Sequence, residues 1–275
     1  MFVTKRLGDN MSNYGMVTGI NGNIQFDTNR KLIGLWEHGT VSNWTTIPTY
    51  VDWKYPTTLP HEIGYVHTFD YNCNITGVAV RPNTSTLVAG RVDRIPGYRS
   101  WSDPNWPGVG SRGNIFSSSK TNTVEYAIYS PDAEGRTIPS WGLITYNENQ
   151  EIVFNSGLRH LKITEIIEVN RKPLVTLDNT WWPTPGTVTF SHNTPNPFYI
   201  IPNNYIYMPY EHFHDRKLYW GMCVLTIGIQ KISATSAKLE RMILYVCKYE
   251  YLVVHDIGPS TFAVPDPLRI AVCVL

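Results

Sequence analysis

The sequence predicts an all-β protein built as two related β-sandwich or barrel-like domains, with long Pro-, Gly- and Trp-rich loops and little helix. Three observations carry this expectation. Short runs rich in Val, Ile, Thr and Tyr recur between clusters of Gly, Pro and Asn, which is the punctuation of strands and turns. Residues 141–164 are a diverged copy of residues 14–34, so the chain states its opening phrase twice. Residues 130–140, with Pro131, Gly135 and Pro139, read as a linker between the copies. The expected division is therefore a first domain over 1–135, including an N-terminal extension over 1–13, and a second over 136–275.

In the repeated phrase, Tyr14-Gly15-Met16-Val17-Thr18 aligns with Trp141-Gly142-Leu143-Ile144-Thr145. After one inserted residue, Ile24-Gln25-Phe26-Asp27-Thr28 aligns with Ile152-Val153-Phe154-Asn155-Ser156, and after another, Arg30-Lys31-Leu32 meets Arg159-His160-Leu161. Asn21-Gly22 between two β-type runs is a strong hairpin signal, so each copy is predicted to be a β-hairpin leading into an extended segment. Two copies are too few for a solenoid.

This phrase, an aromatic-Gly-apolar run, a turn, Ile/Val-x-Phe-Asp/Asn-Ser/Thr and then Arg-x-Leu, resembles the opening of a family of tail-tip or fibre-associated structural proteins of tailed bacteriophages. The resemblance covers about twenty residues in each half, and the motif holds no catalytic group. It implies a virion component that works by assembly with other tail proteins and with copies of itself. Thr28 stands where that family has Ser, Asn155 where it has Asp, and residues 1–13 precede its usual start.

In chain order, residues 36–60 read as short β pieces at edges or in loops, because Pro48, Pro56 and Pro60 cannot donate to a ladder. Residues 62–81 read as a hairpin turning at Asn72-Cys73-Asn74. Residues 84–94 read as a strand, 95–119 as a long loop of the kind that is usually functional, and 123–129 as another strand. In the second half, 158–169, 174–177, 188–190, 198–201, 218–232 and 244–254 read as strands. Leu239, Met242, Ile243 and Val246 fall at helical spacing, so residues 238–246 fit a short helix or a β run equally well. The last eight residues, LRIAVCVL, form an apolar strand that echoes 124–129 and has to be paired or buried.

Charged residues make up only 16% of the chain, against about 25% in ordinary globular proteins, while aromatics reach 13% with 9 Trp and 17 Tyr. Such a surface suits subunit interfaces, which enrich Tyr and Trp and deplete Lys, Glu and Asp; a large aromatic β core is the other reading. Net charge is +1 and no Lys/Arg run occurs, so nucleic acid is not an expected partner. No transmembrane-length apolar run and no signal peptide are present, which predicts a protein made in the cytoplasm that stays soluble. Cys73, Cys223, Cys247 and Cys273 sit singly in apolar surroundings and read as reduced core residues.

No cofactor and no catalytic residue is expected. Gly108-Val109-Gly110-Ser111-Arg112-Gly113 spells GxGxxG, but a dinucleotide site needs a preceding buried strand and a helix opening at the last Gly. His212 and His214 share one face if they lie on a strand and form the best pair for a divalent metal, with no third ligand nominated. Asp70, Asp103 and Asp215 flank aromatics without defining a carboxylate pair. Trp101 and Trp106 in one loop and Trp181 and Trp182 in another are the candidate binding residues, as anchors for a neighbouring subunit or as platforms for a host-surface glycan.

Overall fold

The structure is a computed structural model that describes residues 16–18, 24–27, 32–48, 50–51, 62–69, 73–93, 112–135, 142–147, 149–175, 186–202, 205–214, 217–251, 261–262 and 267–275. Its strands, in chain order, are β1 (Met16–Thr18), β2 (Ile24–Asp27), β3 (Gly34–Val41), β4 (Thr45–Pro48), β5 (Tyr50–Val51), β6 (Glu62–Phe69), β7 (Gly77–Arg81), β8 (Val88–Asp93), β9 (Arg112–Ser117) and β10 (Val124–Ser130). After a 3-10 turn at Pro131–Gly135 come β11 (Ile144–Tyr146), β12 (Ile152–Asn155) and β13 (Lys162–Val169). One helical turn, α1 (Lys172–Val175), precedes β14 (Thr187–Ser191), β15 (Phe198–Ile200), β16 (Tyr205–His214), β17 (Lys217–Ser233), β18 (Ser236–Tyr251), β19 (Thr261–Phe262) and β20 (Leu268–Val274). The protein is all-β.

A six-stranded antiparallel sheet has the order β13-β20-β15-β7-β10-β3, and a ten-stranded sheet follows the path β14-β18-β17-β8-β9-β6-β4 with β5, β16 and β19 attached. Their facing side chains make one core. Val78, Val80, Ile128, Ile270 and Val272 come from the first sheet, and Phe69, Val88, Ile115, Ile227, Ile229 and Leu239 from the second. Alternation along each strand dictates this, since residues two apart share a face. At Gly90 the sheets approach so closely that a Cβ would stand 2.4 Å from the Val78 carbonyl oxygen.

Several local expectations change. Strands β6 and β7 do not pair with each other, because β6 belongs to the ten-stranded sheet and β7 to the six-stranded one. Just before β7, Asn74 N donates to Asp132 Oδ2 at 2.7 Å and Thr76 N to the Tyr129 carbonyl at 2.9 Å, which ties this entry to β10 and the turn after it. Residues 174–177 were expected to start a strand, yet Leu174 and Val175 complete α1. Asn170 Oδ1 accepts from Lys172 N at 2.8 Å there, and Pro173 suits a first turn. Residues 238–246 are strand throughout. Leu239 lies in the main core and Met242, on the opposite face, in a second cluster with Ala89 and Phe116, so the apolar residues at these two positions do not alternate. Gly113 sits inside β9, between β6 and β8, so the last glycine of GxGxxG is part of a strand and opens no helix. Residues 131–135 of the expected linker carry buried Ala133 and Glu134.

The two halves of the chain follow one pairing plan. Strand β3 pairs with β10 from Gly34–Ser130 to Val41–Val124, and β13 pairs with β20 from Lys162–Val274 to Val169–Leu268. In the first pair the register slips at Trp36, between Leu35–Tyr129 and Glu37–Ile128; in the second it slips at Thr164, between Ile163–Cys273 and Glu165–Val272. The bulge thus falls at the same step in both halves. Ala79 faces Ala127 where Ile200 faces Ala271, and Phe69 faces Gly113 where Phe190 faces Ala237. Hairpins β1–β2 and β11–β12 also agree. Phe26 pairs with Val17 and Phe154 with Thr145, each just before a one-residue slip, so the two match without the inserted residue that the sequence alignment uses. The halves join at the sheet centres, Tyr199 pairing with Val80 and Ile229 with Val88. Both large sheets therefore take strands from both sides of residues 130–140.

Candidate functional site: an apolar groove beside β13

Strand β20 shows how the site arises. Leu268, Ile270 and Val272 point into the core and are fully buried, so Arg269, Ala271 and Cys273 take the opposite face of the six-stranded sheet. At the centre of that outer face Ala79, Ala127, Tyr129, Phe198 and Cys273 form a small buried cluster. Towards β13, at the sheet's edge, cover runs out. Ile163 is 46% exposed, Ile166 63% and Ile33 36%. Together with Leu161, Ile200 and Pro202 they line a groove of about 270 Å³, with Arg269 at its rim. Arg269 Nε donates to Glu168 Oε1 at 2.8 Å.

The counterpart of this face in the first half is finished differently. Leu35 faces Tyr129 where Ile163 faces Cys273, and it packs against the central cluster. His38 faces Ala127 where Ile166 faces Ala271. The His38 ring Nε2 lies 3.0 Å from Glu125 Oε1, while Arg81 donates to Glu125 Oε2 at 2.5 Å and stacks 4.1 Å over the Phe198 ring. One plan therefore ends in a paired polar network on one edge and in bare isoleucine on the other.

The groove floor is held from the strand's other face by Glu165. Its Oε1 accepts from Asn193 N (2.8 Å), Thr194 N (3.0 Å) and Thr194 Oγ1 (3.0 Å), and Oε2 accepts from Asn193 Nδ2 at 3.1 Å. Desolvation alone would raise this carboxyl, but the hydrogen bonds from Asn193 and Thr194 outweigh it and hold its pKa below the ordinary 4.5. A depressed folded value means that the clamp's stabilisation is present above the unfolded pKa and lost as pH falls through the folded one. Thermal melts from neutral pH to below pH 4.5 should therefore show a steeper acid loss of stability in the wild type than in Glu165→Gln. Equal slopes would show that the clamp does not form.

Behind the clamp, buried His192 places Nδ1 at 2.7 Å from the Thr194 carbonyl and Nε2 at 2.6 Å from the Tyr199 hydroxyl. A carbonyl only accepts, so Nδ1 carries the proton and the phenol donates to Nε2. Burial, then the Glu165 charge, raises the Tyr199 pKa. Neither group has spare capacity for chemistry. A second His–carboxylate contact joins the halves. Buried Glu134 Oε1 lies 2.7 Å from His160 Nε2, and the His160 ring stacks on Phe154 at 5.3 Å. Gly34 bridges to His160 beside it, and Leu35 N donates to the Arg159 carbonyl at 2.7 Å. Both second-half residues belong to the repeated Arg-x-Leu phrase, whose role here is to pair the end of one copy with the end of the other.

Trp101, Trp106, Trp181 and Trp182 lie outside the described residues, as do Asp70, Asp103 and Asp215. His212 and His214 are on β16, opposite Tyr219 and Lys217 of β17, with backbones in register for one face. Among the described residues, no group of three or more His, Cys, Asp or Glu is placed to hold a metal ion. Cys73 is half-buried against the main core and Cys273 is buried in the outer-face cluster. Burial pushes the Cys273 thiol up to about 12, and burial followed by the Cys273 charge pushes Tyr129 to about 12, so neither ionises near neutrality. Among the described residues, no helix is long and apolar enough to cross a membrane. Sequence reading passed over Ile163 and Ile166 because KITEIIEV scans as an ordinary strand; comparison of the two halves through their sheet partners is what singles them out.

Fold and site together define an all-β protein whose most distinctive surface is an uncovered apolar strand face. No protein-family model matches the chain, and neither a curated protein nor a solved structure does.

Proposed function

We propose that the chain is a structural protein that works by assembly, and that it serves as a tail-tip, collar or fibre-attachment component of a bacteriophage virion. The observation that carries the assembly reading is the uncovered β13 face. Ile163 and Ile166 stay bare where the first half, on the same plan, uses a packed Leu35 and a paired His38. The fold evidently tolerates a polar finish at this position, so folding alone does not require isoleucine there. Exposed apolar patches of this kind mark interaction sites. A surface with only 16% charged residues in the chain fits repeated subunit contact. Assignment to a phage tail rests on the repeated phrase, and the matched registers of the two halves support its origin by duplication.

The test is mass spectrometry of tailed particles purified by density gradient from cells producing this chain and the phage that encodes it. Its peptides should band with the particles at a fixed ratio to known tail proteins. Peptides confined to the unassembled fraction would end the virion reading.

A further inference from the structure

We draw no further inference here: the strongest candidate, the apolar groove beside β13 that Ile163, Ile166 and Ile200 line, carries none, because nothing in the structure shows what covers it.

Discussion

Replacing Gly90 with alanine is expected to cost at least about 3 kcal/mol, the upper part of the range for overpacked cores, and to lower the melting temperature by about 6 °C or more for a chain of this size. The added Cβ would sit 2.4 Å from the Val78 carbonyl oxygen and 3.1 Å from Val78 Cγ1. The nearest obstacle is backbone in the middle strand of the opposing sheet, and β7 is paired on both sides, to β10 and β15. It cannot retreat without stretching two ladders. Gly39 gives the control. The atoms nearest a Cβ there are the hydroxyl and ring of Tyr126, at 3.0 Å or more, a side chain rather than backbone, and one that bonds Glu37. Gly39→Ala should therefore cost clearly less than Gly90→Ala. If calorimetry finds equal effects, or a shift of under 2 °C for Gly90→Ala, the sheets do not approach at Gly90 as described.

How much of this was legible in the sequence follows from which signals are local. Strand character was readable because Val, Ile and Thr runs ending in Gly, Pro and Asn encode it residue by residue. The two hairpins were readable for the same reason. Sheet membership was not. Residues 62–81 read as a hairpin, yet the choice between closing the turn and crossing the sandwich depends on bonds from Asn74 and Thr76 to residues more than fifty positions away. Helix-like spacing in 238–246 misled because Leu239 and Met242 are buried on opposite faces of β18, so these apolar residues do not alternate. The repeated phrase pointed to a duplication but covered only the opening of each half. Agreement of β6–β10 with β14–β20 is carried by pairing register, and few residue identities accompany it beyond Phe69 with Phe190. For the site, Trp content drew attention to residues 101, 106, 181 and 182. An isoleucine on a strand carries no mark of exposure, and only its sheet position shows that Ile166 stands where His38 stands in the other half.

Shared sheets lead to a further expected result, on how the chain unfolds. Leu239→Ala, a second-half substitution, should lower stability by about 3 kcal/mol, the usual cost of emptying a buried leucine site. It should lower hydrogen-exchange protection in β10 of the first half by the same amount as in β20 of the second. Leu239 is fully buried in the cluster that contains Phe69, Val78, Val88 and Ile128 from the first half. The same cluster is crossed by the β7–β15 and β8–β17 pairings, so removing second-half strands would leave β7 and β8 with open edges and bare core faces. A half exposed in that way has no reason to persist, and the slowest amides of both halves should exchange through one global opening. Two independently folding domains would behave otherwise. Protection at Tyr126 and Ile128 would then be untouched by Leu239→Ala, and calorimetry would resolve two transitions. Equal losses in both halves would show that the repeated plan has closed into one cooperative unit, which is the rigid base that the β13 face needs if it is to hold a partner without spending stability on ordering itself.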